Sequence, residues 1–290
     1  MSDKPTIERH KGRPVTYETR YCKKTVAGNV VEFMEMSSIP EAPRIKKISA
    51  TEYMTEDGEI LEFNKSDTRA DNTDSLRKSF RQLRALINAN CADISRLHWV
   101  TLTYAENMTD TARLYKDFVR FWQKFKRWCV KQQFAPPEYI AAIEPQKRGA
   151  WHMHCIFIWS SSRPYVDNNG VLAPMWGHGF TKIQAVPESC DNLGAYLSAY
   201  LADMELGEEQ PEKVGKKYEK GARLRLYPVG VQIFRHSRGV KKPTICTLSP
   251  SSLEKEKASS GKLTFEVSYQ LTTDDGKTRH ISKSYYNTKR

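Results

Sequence analysis

The segment GAWHMHCIFIW, residues 149–159, constrains the fold of this chain more than any other stretch. Its apolar and β-branched composition predicts a strand, in which alternate side chains point to the same face. One face is uniformly apolar and must pack against helices. His152 and His154 point together to the other face, with Cβ atoms roughly 7 Å apart. Two imidazoles at this spacing can bind one cation.

Glu144, on the preceding predicted strand, is the best candidate for a third ligand. It reaches the histidines only if it pairs opposite His152, because a one-residue slip turns a side chain to the other face. This register leaves residues 146–150 as a loop with an odd number of residues, and Gly149 supplies the left-handed conformation that such loops need. A two-residue turn would place Glu144 opposite Met153, on the wrong face.

Two imidazoles and one carboxylate form a ligand set for a divalent metal, Mg²⁺ or Mn²⁺. The softness of the imidazoles favours Mn²⁺, the cellular abundance of Mg²⁺ favours Mg²⁺, and zinc remains open. The alternative is that the two histidines lie on a solvent-facing sheet surface and bind no metal.

The order of predicted elements indicates an α+β fold. Strands, long amphipathic helices and further strands alternate in the order expected of a ferredoxin-like antiparallel sheet with helices packed on one face, plus peripheral β-hairpins. We predict four regions: a disordered tail at 1–13, a β-hairpin and linker at 14–72, the central domain at 73–245, and a C-terminal β-hairpin segment at 246–290.

The formal net charge of +12 is typical of a protein that binds polyanions, most often nucleic acid. The alternative is a basic protein that is merely soluble. The six cysteines include no C-x-x-C pair, which argues against a zinc ribbon. We find neither a signal peptide nor a stretch of about 18 apolar residues, so we expect no membrane partner and a reducing, cytoplasmic location.

The segment YLSAY places Tyr196 and Tyr200 four residues apart on a predicted helix, so they share one face. An ordinary explanation is that two amphipathic aromatic residues lie at the rim of the core. The functional explanation combines them with the metal ligands. A phenol with a pKa near 10 becomes a useful nucleophile when a cation polarises the phosphate that it attacks.

Three segments resemble, in order, the three motifs of HUH endonucleases. More narrowly, they resemble those of rolling-circle replication initiators of plasmids and filamentous-type phages, and the likeness covers roughly residues 75–245. The segments are TLTYA (101–105), EPQKRGAWHMH (144–154) and AYLSAYL (195–201). The resemblance implies that residues 73–245 form an HUH nicking domain.

By this resemblance, Glu144, His152 and His154 bind the metal, and Tyr196 nicks one strand at a replication origin. Tyr196 would stay joined to the 5′ phosphate until the strands are rejoined, leaving a 3′ hydroxyl for a host polymerase. Tyr200 is either a second nucleophile or a substrate-positioning aromatic residue. Relatives with one tyrosine often carry Y-x-x-K, but Ala199 takes the place of that lysine here, which favours the paired-tyrosine mechanism.

Basic and aromatic residues near these motifs are candidate contacts to single-stranded or extruded origin DNA. For each, the alternative is a solvated basic loop. No Walker A motif is present, so unwinding would require a host helicase. The candidates are Lys147, Arg148, Trp176, His178, Lys216, Lys217, Arg223, Arg225, Arg235, Arg238, Lys241 and Lys242.

We therefore predict a site-specific single-strand DNA endonuclease and strand transferase in the cytoplasm of a prokaryotic host. An HUH relaxase or single-strand transposase would share the same site and differ only in its DNA target. A non-catalytic basic origin-binding protein is the alternative from another class, and it predicts no covalent protein–DNA adduct.

Overall fold

The structure is a computed structural model of the 290-residue chain and divides into two compact units. One unit combines residues 1–67 with 244–290, and the other comprises residues 68–243. The structure describes residues 6–11, 16–40, 45–49, 51–55, 57–62, 73–146, 148–186, 192–202, 204–205, 218–219, 226–228, 230–272 and 276–290.

Strands and α-helices alternate along the described chain. In chain order they are β1 (Thr6–Lys11), β2 (Tyr21–Ala27), β3 (Val30–Met36), β4 (Ile45–Lys47), β5 (Glu52–Thr55), β6 (Ile60–Glu62), α1 (Thr73–Asn90), β7 (Leu97–Leu102), α2 (Thr111–Lys131), β8 (Glu138–Pro145), β9 (Trp151–Ile158), α3 (Ala173–Trp176), β10 (Thr181–Gln184), α4 (Leu193–Ala202), β11 (Met204–Glu205), β12 (Tyr218–Glu219), β13 (Phe234–His236), β14 (Thr244–Leu248), α5 (Leu253–Ala258), β15 (Lys262–Thr272) and β16 (Thr278–Asn287).

The terminal segments together form one six-stranded antiparallel sheet, with the order β1-β15-β16-β3-β2-β14. A second sheet of this unit comprises β4, β5 and β6. This differs from the predicted division into separate N- and C-terminal hairpins. Residues 6–11, expected within a disordered tail, form β1 and pair with β15. The expected boundary at residue 245 falls inside β14, which pairs with β2.

The second unit is built on a five-stranded sheet with the order β10-β7-β9-β8-β13. Every pair in this sheet is antiparallel. Antiparallel sheets with several helices make the α+β class, as predicted. A further two-stranded pair joins β11 and β12.

Helices cover both faces of this sheet, so the prediction that they pack on one face is wrong. Aromatic residues of α2 contact one face, where Phe121 and Phe125 lie against Phe157. On the opposite face, side chains of α1 and α4 line a small apolar cavity together with residues of the sheet. The lining side chains are Leu83 and Ile87 of α1, Leu197 of α4, and Trp99, Ile140, Ala142, His154 and Ile156 of the sheet.

The apolar stripes predicted on the two long helices are buried as expected. Asp110 caps α2, and its Oδ1 accepts hydrogen bonds from the backbone N–H groups of Ala112 and Arg113 at 2.8 and 3.1 Å. The buried stripe of α1 contains Leu76, Phe80, Leu83 and Ile87, and that of α2 contains Leu114, Phe118, Phe121, Trp122, Phe125 and Cys129.

Helix α4 lies unusually close to α1. The backbone N–H of Gly194 donates to Asn88 Oδ1 at 2.8 Å, and Asn88 Nδ2 donates to Asn192 Oδ1 at 2.8 Å. A Cβ at Gly194 would overlap the backbone carbonyl oxygen of Arg84 and lie 2.8 Å from Asn88 Oδ1. The absence of a side chain at Gly194 therefore sets the distance between the two helices.

Among the residues that the structure describes, no helix combines the length and the apolar character that crossing a membrane requires.

His98 gives the central unit a pH-dependent stability. Its Nδ1 accepts a hydrogen bond from the Trp159 indole N–H at 3.0 Å, and burial, followed by the charge of Arg163, lowers the pKa of His98 to about 4. The unfolded chain therefore binds the proton first. The free energy of unfolding should fall as the pH drops from about 6.5 towards 4, by about 3 kcal/mol for this group.

Urea unfolding between pH 7.5 and 4, in the presence of a metal chelator, tests this prediction. His98→Asn, which keeps an acceptor near the indole but cannot titrate, should lose about 3 kcal/mol less than the wild type over this range. Equal pH dependence in both proteins would contradict the assignment.

Gly194→Ala should destabilise the packing of α4 on α1. The added methyl group must displace one helix backbone, and such overpacking costs about 1–3 kcal/mol. Chemical denaturation measures the loss. Gln82→Ala, at an exposed position of α1, is the matched control and should change the stability by less than about 0.5 kcal/mol. A Gly194→Ala protein as stable as this control would show that the helices separate without cost.

Candidate active site

The β8–β9 hairpin has the register that the sequence required for a metal site. Glu144 pairs with His152, and residues 146–150 form the connection. The loop closes through hydrogen bonds from Gln146 N–H to Ala150 O at 2.8 Å and from Gly149 N–H to Gln146 O at 2.9 Å. Gly149 has a φ of +88°, in the left-handed region that glycine adopts without strain.

Glu144, His152 and His154 lie together on the sheet face that α1 and α4 cover. Their potential ligand atoms all lie within 4.8 Å of one another. His154 Nε2 contacts Glu144 Oε2 directly, and the two imidazole ring centroids are 6.5 Å apart. Donors that bind a common cation at 2.0–2.3 Å are at most about 4.6 Å apart, so small side-chain rotations suffice to hold one ion.

A chain of hydrogen bonds behind His154 orients its ring. Thr101 Oγ1 donates its single proton to Gln184 Oε1 at 2.9 Å and lies 3.1 Å from His154 Nδ1. With the Gln184 amide oriented in this way, Nδ1 is the donor to Thr101, and Nε2 presents its lone pair towards Glu144. Two acceptors that face each other favour a cation between them, so the donor set fits a divalent metal.

Burial keeps both imidazoles in the neutral form that binds metals. It lowers the pKa of His154 to about 4. It is also the main cause that lowers the pKa of His152 to about 4, and the positive charges of His154 and Arg148 add to the effect. Both rings are therefore unprotonated near neutral pH, with lone pairs available to a ligand.

Tyr196 lies on α4, the helix that covers the triad's face of the sheet. Its side chain is 46% exposed, and its ring meets the edge of Trp99 at a centroid distance of 6.3 Å. Trp99 and Thr101 are two residues apart on β7 and therefore share a face. The next residue, Leu197, lines the same cavity as His154. The phenol is thus exposed on the same side of the sheet as the three candidate ligands.

Several predicted site residues lie outside the described part of the chain. Tyr200 falls within α4, but its side chain is not among those described. The same holds for the whole residues Lys147, Lys216, Lys217, Arg223 and Arg225.

The structure corrects one of the predicted DNA contacts. Trp176, expected to stack on a base, is only 1% exposed. Its indole N–H donates to Thr103 O at 2.7 Å, and its ring packs against Phe121 and Tyr104. Trp176 is therefore a core residue, which cannot offer a ring face to DNA.

The remaining described candidates are distributed over the central unit. Arg148 is exposed in the loop beside the triad. His178 is partly buried and stacks on Tyr104. Arg235 pairs with Ala141 and lies 3.5 Å from the ring centroid of Tyr115 in α2, on the face opposite the triad. The exposed residues near β13 are Arg238, Lys241 and Lys242.

Sequence reasoning assigned no role to Thr101 and Gln184, although both support the triad. Their alternation was the available signal. Thr101 pairs with His154 and shares its face, and Gln184 pairs with Trp99 on that same face. The pairing of β10 with β7 brings Gln184 to the site, and no local pattern in the sequence encodes that pairing.

Comparison with known proteins gives one family match. Residues 97–205 match a family model described as Replication-associated protein ORF2. No curated protein and no solved structure gives a significant match. The matched segment contains β7, the β8–β9 hairpin with its three candidate ligands, and α4 with Tyr196. Through this segment the chain is identified as a Rep-type, replication-associated protein of this family.

Proposed function

We propose that this protein initiates replication by nicking one DNA strand at an origin, with Tyr196 as the nucleophile and a divalent metal held by Glu144, His152 and His154. One observation carries the proposal: three candidate ligands within 4.8 Å of one another share a sheet face with a helix that exposes a tyrosine. The family match supports the replication role and DNA as the partner.

The reaction exchanges one phosphate ester for another. The Tyr196 hydroxyl oxygen forms a bond to phosphorus, the bond between phosphorus and the 3′ oxygen breaks, and the phenolic proton passes to solvent while the leaving 3′ oxygen takes up a proton. The 5′ phosphotyrosine conserves the ester for later rejoining. Bound Mg²⁺ or Mn²⁺ would polarise the scissile phosphate and stabilise its developing charge.

Other residues of the chain have supporting roles in this proposal. Thr101 and Gln184 hold the His154 ring so that its Nε2 points to the ion. The packing of α4 on α1, through Gly194 and Asn88, positions the helix that carries Tyr196. Arg148, exposed in the neighbouring loop, can bind a phosphate next to the scissile one. Tyr200, four residues further along α4, is proposed as the second nucleophile, which acts when the strands are rejoined.

Tyr196→Phe should abolish formation of a covalent protein–DNA adduct, because phenylalanine has no hydroxyl to attack phosphorus. The assay incubates the protein with Mn²⁺ and single-stranded oligonucleotides that tile both strands of the replicon encoding it. Adducts are separated under denaturing conditions, and mass spectrometry identifies the modified peptide.

Tyr200→Phe is the matched variant in this assay, and it should keep the first adduct while losing strand rejoining. If the wild type forms no adduct with any tile, the proposed nicking activity is wrong. If Tyr196→Phe still forms adducts and Tyr200→Phe does not, the two roles are reversed.

Thr101→Val should weaken Mn²⁺ binding by about 10- to 100-fold, because it removes the hydroxyl that orients His154 while keeping the side-chain shape. Mn²⁺ titration, followed by electron paramagnetic resonance of the free ion, gives the affinity. Thr181→Val is the control, since it removes a hydroxyl that donates to Asn168 Oδ1 at 3.0 Å in the same sheet. Equal affinities in all three proteins would exclude the proposed role of Thr101.

A further inference from the structure

Phe180 is a large apolar side chain on the surface of the central unit. It is 78% exposed and directly precedes β10. Exposed phenylalanine is unfavourable in water, so an exposed ring held in a fixed place suggests a binding surface.

The strand pairing puts Phe180 on the same side of the sheet as the candidate metal ligands. Lys182 pairs with Thr101, and Thr101 pairs with His154, so these three residues share one face. Phe180 lies two residues before Lys182, and the alternation of the strand directs both to that face. Because β7 alone separates β10 from β9, the lateral distance from Phe180 to the histidine strand is roughly 10 Å.

The backbone beneath Phe180 is held rigidly. The Thr103 backbone N–H and its hydroxyl both donate to Phe180 O at 2.9 Å, and Ala105 N–H donates to His178 O at 2.9 Å. A Cβ at Gly179 would lie 2.6 Å from Thr103 O, so only glycine permits this close approach. The ring is therefore presented from a preorganised backbone, which lowers the entropy lost on binding.

Buried contacts support this segment from below. Trp176 N–H donates to Thr103 O at 2.7 Å. The Tyr104 hydroxyl donates to the buried carboxylate of Asp117 at 2.9 Å, and His178 Nε2 lies 3.6 Å from the same carboxylate. These interactions fix the segment that carries Phe180 to α2, without using the Phe180 ring itself.

From this arrangement we infer that Phe180 and Lys182 form a docking site for the unpaired strand beside the cleavage site, where a base stacks on the Phe180 ring and Lys182 binds the adjoining phosphate. The inference rests on the proposed function, because it takes single-stranded DNA as the ligand. Charge complementarity favours this occupant: Lys182 is exposed on the same face, and the chain carries a net charge of +12. A protein partner docking on Phe180 is the alternative that the test below distinguishes.

The test compares two oligonucleotides of equal length, an oligothymidylate and a base-free chain of abasic residues. Binding to the full-length protein is measured by fluorescence anisotropy in a metal chelator, so that no nicking occurs. Phe180→Ala should lower affinity for the oligothymidylate by about 5- to 100-fold, which is the range for loss of one base–aromatic stack. Affinity for the base-free chain should not change. Phe180→Tyr, which keeps an aromatic ring, should bind both like the wild type.

Lys182→Ala should weaken binding to both oligonucleotides and reduce the slope of log K against log salt by about 0.7, as expected for one phosphate contact with a single strand. Tyr165→Ala is the matched control. Tyr165 is 86% exposed but follows the end of β9 that points away from His152, so its loss should leave both affinities unchanged.

The inference is overturned if Phe180→Ala binds the oligothymidylate as the wild type does, if it loses affinity for both chains equally, or if the wild type binds neither. Each of these results leaves the nicking proposal to its own assay, because adduct formation at Tyr196 is scored separately. Conversely, base-dependent binding through Phe180 without any Tyr196 adduct would support the docking site and reject the nuclease.

Discussion

The register of the β8–β9 hairpin is the constraint on which the candidate active site depends. Strand side chains alternate between faces, so a shift of one residue would send Glu144 to the aromatic face that packs on α2. The five-residue connection and the positive φ of Gly149 hold the observed register. The Trp151 indole N–H, which donates to Thr109 O at 3.0 Å, fixes the same end of the hairpin to the segment before α2. A local turn and a distant anchor thus determine whether the three ligands meet.

Two buried imidazoles and a buried carboxylate are an expensive group to place in a sheet. An ionised carboxylate removed from water needs a compensating charge, and a buried imidazole stays neutral. The chain from Gln184 through Thr101 to His154 satisfies the far side of one ring but leaves its near nitrogen facing the carboxylate. Such an arrangement is a poor choice for stability alone, and a bound cation resolves it. This is the physical reason to prefer a metal site over a solvated pair of histidines.

Elements with a clear local period could be predicted from the sequence. The strand GAWHMHCIFIW, the register that places Glu144 opposite His152, and the stripes of α1 and α2 all follow from periods of 2 or 3.6 residues. The prediction of helices on one face failed because it considered only the apolar face of β9. Ile156 and Ile158 share the face of the histidines and are buried, so this face also needed a cover. The sequence contained that signal, and the histidines obscured it.

Long-range pairing explains the other differences. The two terminal hairpins are locally encoded, but the pairing of β16 with β3 joins residues about 250 positions apart in the chain, and no local pattern reports it. Trp176 shows the same limit for a single residue. Its glycine-rich surroundings suggested an exposed loop, whereas its ring is buried between Tyr104 and Phe121. A tryptophan that anchors a loop and one that stacks on a base look alike until the neighbouring elements are placed.

The two faces of the central sheet carry different duties, and this division explains why function is confined to one of them. The α2 face is a closed aromatic layer in which Phe121, Phe125 and Phe157 contact one another, so a polar group there would lack partners. The other face is closed by α1 and α4 over Trp99 and Ile156, while the triad lies towards the hairpin end. Because Gly194 lets α4 approach α1 so closely, this helix is placed by backbone contact. A nucleophile carried by such a helix is positioned by the fold itself, and a substrate has only to bring its phosphate.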